Sequence, residues 1–173
     1  MKSDYTVRAE KFIHNFYEWF VDNYGVGMWD DLGIIYDAVD TYNEIYNRKI
    51  KVFNGAVRVT LVTSDYVVKW DYGTEEDIEI YGGCEQEAEN YETIVAGSRY
   101  EHYFAKVTRV YEGNMMFIIM PRIGRVEYTS KTRELYECIP KCEWMWIQKR
   151  FGDLHRGNWG LKNGHPIITD YAN

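Results

Sequence analysis

The chain has 173 residues, 46% of them apolar and 17% aromatic, with 16 Tyr, 6 Trp and a formal net charge of −7. That length suits one domain with an appended element and is enough to bury a real core, and the aromatic content excludes disorder. The negative charge argues against nucleic acid or a membrane surface as a broad electrostatic partner. Lys141, Lys149, Arg150 and Arg156 are the candidates for a local basic patch. Cys84, Cys138 and Cys142 read as reduced thiols, because no His stands at zinc-ligand spacing beside the last two and Pro140 separates them. No signal peptide opens the chain and no apolar run spans a bilayer, so the expected location is cytoplasmic.

Residues 1–48 read as helical. Phe12, Ile13, Phe16, Phe20 and Val21 recur at helical spacing, and Tyr24 to Gly27 breaks the pattern. A second helix is expected from Asp30 or Asp31, with Leu32, Ile35, Tyr36, Val39, Tyr42 and Ile45 on one broad face. The character changes at Arg48. "KIKVFNGAVRVTLVTSDYVVKWDY" is rich in Val, Thr and aromatic residues, and its turn signals at Asn54-Gly55 and Thr63 to Asp65 predict three antiparallel strands. An acidic, glycine-bearing stretch, Asp71 to Gly83, reads as a connection. "CEQEAENYETIVAG" then predicts a helix ending at Gly97. Strands are expected over Tyr103 to Val110 and Met115 to Met120, turning at Glu112 to Asn114. After Pro121 a helix capped by Thr129 or Ser130 is expected to reach Cys138, and Pro140 starts another to about Arg150. Phe151 to Asn158 reads as a loop, followed by short strands Trp159 to Leu161 and Pro166 to Thr169 around Asn163-Gly164.

The polar residues take their meaning from this order. On its own, Lys69 in "YVVKW" snorkels out of an apolar strand, and Glu87 in "QEAENYETI" is a solvated helical glutamate. Asp153, His155 and Asn158 in "FGDLHRGNWG" and Asp170 in "PIITDY" complete the set. Together they resemble the protein-kinase-like superfamily. The resemblance implies that Lys69 and Glu87 pair and hold nucleotide phosphates, that Asp153 orients the acceptor hydroxyl, and that Asn158 and Asp170 hold Mg²⁺ on ATP. Such chemistry is mostly positioning and charge neutralisation. "GDLHRGN" is similar to the catalytic loop of aminoglycoside and choline phosphotransferases. The ending of the chain looks still more like the early host-takeover serine/threonine kinase of podophages. The likeness covers residues 50–173 in order, with its sharp motifs in 151–171.

The implied architecture is α+β: a helical extension (1–48), a kinase-like N-lobe with a five-stranded antiparallel sheet and one helix (49–120), and a truncated, mainly helical C-lobe (121–173). Met120 and Arg122 flank Pro121 where the family's hinge reads the adenine. His155 is expected to shape the loop and Trp159 to pack. Two departures stand out. The nucleotide loop keeps a single glycine, so phosphate contact falls to the backbone of Asn54 to Val57, with Gly55 and Ala56 at its tip and Arg58 helping. "DYAN" ends the chain where an activation segment and later helices are expected, and residues 1–48 are expected to fold back and replace part of that support. Gly152 stands where regulated protein kinases carry an Arg.

The leading functional expectation is an ATP- and magnesium-dependent kinase acting on Ser/Thr hydroxyls of host proteins. The alternatives are a non-catalytic kinase-like protein that binds and inhibits a host factor, and a small-molecule phosphotransferase.

Overall fold

The computed structural model describes residues 3–81, 83–125, 138–152, 154 and 156–171. It is α+β, and its internal contacts divide it into two units: Met1–Cys84 with Thr108–Arg122, and Glu85–Val107 with Ile123–Asn173. Among the described residues no helix is long and apolar enough to cross a membrane.

The first unit is a five-stranded antiparallel sheet with two helices on one face. The helices are α1 (Asp4–Tyr24) and α2 (Leu32–Tyr46), and the strands are β1 (Lys51–Asn54), β2 (Arg58–Val62), β3 (Tyr66–Asp71), β4 (Thr108–Glu112) and β5 (Met115–Pro121), in the order β1-β2-β3-β5-β4. Helix α1 buries Ala9, Phe12, Ile13, Phe16 and Phe20, a stripe at three- and four-residue spacing. Helix α2 starts where the Asp31 carboxylate accepts the Ile34 amide at 3.1 Å, and it buries Ile35, Ala38, Val39 and Tyr42. Tyr36 and Ile45, expected on that face, are exposed, because they flank the narrower stripe of Ile35, Ala38, Val39 and Tyr42 that is buried.

Trp29, in the connection between the helices, is the hub of the core. Its ring lies 4.0 Å from Phe20, 5.5 Å from Trp70 and 5.8 Å from Phe117 by centroid, and Tyr17 stacks on it at 5.5 Å. Strand alternation sends Tyr66, Val68, Trp70, Phe117 and Ile119 into this core. It turns Lys69, Ile118 and Met120 to the opposite face of the sheet, where all three are also buried. The buried stripes of α1 and α2 thus pack on this unit's own sheet.

The connection read between Asp71 and Gly83 contains a helix, α3 (Glu75–Tyr81). Thr74 Oγ accepts the Asp77 amide at 3.2 Å and donates to its carboxylate at 2.7 Å, and three acidic residues in the first turn complement the helix dipole.

In the second unit, α4 (Cys84–Asn90) continues into a π-helical turn, Tyr91–Val95, and Gly97 closes it at φ +73. The strand expected from Tyr103 begins only at Thr108, because Glu101–Tyr103 form a 3₁₀ turn. Helix α5 (Lys141–Phe151) follows Pro140 as expected. A three-stranded sheet, β6 (Gly124–Arg125), β7 (Trp159–Lys162) and β8 (His165–Ile168), adds one strand to the hairpin read from sequence. A Cβ at Gly160 would meet Ile123 Cγ2 at 2.5 Å and the Gly124 carbonyl at 2.8 Å, so only glycine admits β6 beside β7. The helix expected over 129–138 falls almost wholly on residues outside those described.

Candidate functional site

The segment carrying Asp170 is held by five hydrogen bonds to Ala105, Asn158 and Asn90. Ala105 N–H donates to the Ile168 carbonyl at 2.8 Å, and Thr169 N–H donates to the Asn158 carbonyl at 2.6 Å. The Asn158 side-chain amide donates to the Asp170 carbonyl at 3.0 Å. The Asn90 side-chain amide donates to the Tyr171 carbonyl at 2.8 Å, and the Tyr171 hydroxyl donates to the Ala105 carbonyl at 2.7 Å. The Tyr171 ring is 1% exposed and meets Phe104 at 5.2 Å and Phe151 at 5.9 Å, both edge-on. Burial pushes its hydroxyl far above the ordinary range, and the nearby acidic groups Glu87 and Asp170 add to this, so it stays a neutral donor. Backbone and ring anchors on either side thus fix the Asp170 peptide, and Asp170 itself is half-buried.

Asn158 ends a 3₁₀ turn, Arg156–Asn158, immediately before β7. It is 5% exposed, and while its amide nitrogen is used, its Oδ1 is buried with no hydrogen-bond partner among the described residues. A buried carbonyl oxygen left unsatisfied costs about 1–3 kcal/mol, so its persistence calls for an explanation. An amide oxygen beside a carboxylate-bearing residue is the hard donor set that Mg²⁺ prefers. Among the described residues no group of three or more His, Cys, Asp or Glu could hold a metal ion.

Four glutamates, Glu85, Glu87, Glu89 and Glu92, lie on α4 and its π-helical continuation. The structure buries Glu87 completely, at 0% exposure, and leaves the other three exposed. Lys69 is 7% exposed, so it does not snorkel to solvent. It pairs in register with Thr60 on one side and Ile118 on the other. Two buried ionisable side chains in a small protein are costly unless each serves a partner. Asp153 and His155 lie outside the described residues.

The β1–β2 turn is closed on itself. Gly55 N–H donates to the Arg58 carbonyl at 2.8 Å, and the Tyr72 hydroxyl donates to the Gly55 carbonyl at 2.9 Å. The Tyr36 hydroxyl donates to Asn54 Oδ1 at 3.0 Å. The Gly55 amide is thus engaged within the turn, and Ala56 is exposed at its tip. Met120 pairs with Val67, and the β4 ladder ends one residue earlier, at Ile119, so β5 has a ladder partner on one side only there. Arg122 turns away. Its amide donates to the Asp65 carbonyl and its guanidinium to the Thr63 carbonyl, at 3.0 and 2.9 Å.

The residues that sequence reasoning missed are Asn90 and Tyr171. Neither carries a motif, but an aromatic residue directly after an acidic one at a strand end was the available signal for Tyr171. Trp159 packs as expected, against Trp144 at 5.4 Å. Cys84 is buried, Cys138 and Cys142 are exposed, and all three are free thiols. No family model, no curated protein and no solved structure matches the chain.

Proposed function

We propose that this protein is a kinase-like phosphotransferase that moves the γ-phosphoryl group of ATP to a Ser/Thr hydroxyl of a protein. The observation that carries the proposal is the buried Oδ1 of Asn158, without a partner among the described residues, on a side chain bonded to the Asp170 peptide. The five-stranded antiparallel sheet with a buried lysine on its third strand supports the same reading.

On this reading Asn158 Oδ1 and the Asp170 carboxylate hold Mg²⁺, which when bound neutralises charge on the phosphates. Lys69 supplies a fixed cation for the phosphate oxygens, and Glu87 is the carboxylate to which the kinase-like resemblance gives the role of orienting it. Asp153 accepts the proton of the acceptor hydroxyl, a role worth about 10²–10⁴ in rate. The acceptor oxygen bonds to phosphorus as the bond to the ADP leaving group breaks.

Labelled ATP and magnesium, incubated with the protein and a bacterial lysate beside Asp153→Ala, test this. Label on lysate proteins that vanishes in the variant supports the proposal. Label appearing only with added small acceptors assigns small-molecule transfer instead. A second reading is a kinase-like protein that inhibits a host factor without transfer. It is favoured by the engaged Gly55 amide, which leaves less backbone for phosphate. Absence of both labelling and an Mg–ATP thermal shift selects it.

A further inference from the structure

The basic cluster that the structure assembles is not the one marked by sequence order at Lys141 to Arg156. A cavity of about 680 Å³ opens beside the N-terminal half of α1, the link from α2 to β1 and the β2–β3 turn. Its charged lining is Arg8, Lys11, Arg48, Lys49, Lys51 and Arg122, against one acid, Asp65. Six of the chain's 20 basic residues and one of its 27 acidic ones meet there. That is a local +5 in a chain of −7, so the rest carries −12.

We infer that this cavity is a binding site for a small, multiply phosphorylated anion. The site is built before any ligand arrives. Asn43 clamps Ile50 through both its amide and its carbonyl, each at 2.9 Å, and the Arg48 amide donates to the Asn43 carbonyl. With Asn47 in the left-handed region at φ 49, these bonds fix the turn presenting Arg48, Lys49 and Lys51. Arg122 is held by the Thr63 carbonyl, and Arg8 by Asp65 at 3.1 Å and by Asp4. Lys11, Lys49 and Lys51 form no salt bridge among the described residues, and their ammonium groups are exposed.

Phe12, Tyr42 and Tyr66 form an aromatic wall, with Phe12 6.1 Å from Tyr42 and 6.0 Å from Tyr66 by centroid. Burial raises the Tyr66 hydroxyl to about 12, against the opposing charge of Arg48, so it faces the cavity as a neutral donor.

The volume exceeds what one phosphate needs and lies within the usual range of about 300–1,000 Å³ for small-molecule sites. A long polyanion leaving the cavity would meet the surrounding negative charge, whereas a compact one stays within about one Debye length, roughly 10 Å, of the six cations. Lys69 is not part of this site, because it lies on the opposite face of the sheet from α1 and α2.

Calorimetric titration with tripolyphosphate, in magnesium-free low-salt buffer, tests the assignment. We expect one-to-one binding that weakens with salt. The variant K11Q/K49Q/K51Q should bind at least about tenfold more weakly, with K141Q/K149Q/K162Q within about twofold of the parent. Orthophosphate should bind more weakly than tripolyphosphate, and a short single-stranded DNA should not displace it. Circular dichroism confirms that both triple variants fold. Absence of saturable binding, equal loss in both variants, or displacement by the DNA overturns the inference.

Discussion

Asn158→Ala separates a metal-ligand role from a structural one by the size of the stability change together with the response to Mg–ATP. The substitution removes the bond to the Asp170 carbonyl, worth about 1 ± 0.5 kcal/mol. It also removes the buried Oδ1, which lacks a partner among the described residues and costs about 1–3 kcal/mol. The backbone bond from Thr169 N–H to the Asn158 carbonyl, at 2.6 Å, survives and keeps β7 and the Asp170 segment together. The metal-free protein should therefore range from about 0.5 kcal/mol less stable to about 2.5 kcal/mol more stable. For a chain of this size each kcal/mol moves the thermal midpoint by about 2–4 °C. Mg–ATP should raise the midpoint of the parent protein and not that of the variant. Differential scanning fluorimetry with and without Mg–ATP reads both quantities. A metal-free loss above about 2 kcal/mol, with the Mg–ATP shift intact, would refute the reasoning, because Asn158 would then be only a brace.

Three further predictions follow from particular contacts. Lys69→Met should reduce phosphate transfer by at least about 10²-fold, measured with labelled ATP on protein shown by circular dichroism to be folded. Gly113→Ala should destabilise by about 2–4 kcal/mol in urea denaturation, because φ is +56 there and the new Cβ would lie 2.7 Å from Tyr17 Cζ, whose ring is stacked on Trp29. The Glu101 carboxylate accepts from the Tyr91 hydroxyl at 2.7 Å and the Gly97 amide at 2.9 Å, which together lower its pKa. A depressed carboxylate stabilises the fold above its ordinary value of about 4.5 and loses that stabilisation as pH falls through the lowered one. Thermal midpoints of the parent and Glu101→Gln should thus differ at neutral pH and converge on acidification, and a gap unchanged in acid would show that the carboxylate's charge is not the cause.

Much of the fold was legible locally. Alternation in 51–71 and the turns at Asn54-Gly55 and Asn163-Gly164 correspond to β1–β3 and to the β7–β8 hairpin. Helix α3 was hidden because its cap, Thr74, sits between Gly73 and an acidic run without apolar periodicity. Strand β6 was hidden because two residues carry no pattern, and it exists through the space that Gly160 leaves.

In the sequence, Lys69, Glu87, Asp153, Asn158 and Asp170 stood out as a set only through the resemblance of their order to the kinase-like pattern, since each alone reads as an ordinary strand, helix or loop residue. Only the tertiary structure decided which were buried. It enclosed Glu87 rather than its three helical neighbours, withheld a partner from Asn158 Oδ1 among the described residues, and turned Arg122 toward Thr63. It also gathered cations from residues 8, 11, 48, 49, 51 and 122 into one cavity. Burial and charge clustering are sums over neighbours distant in sequence, so no local pattern encodes them.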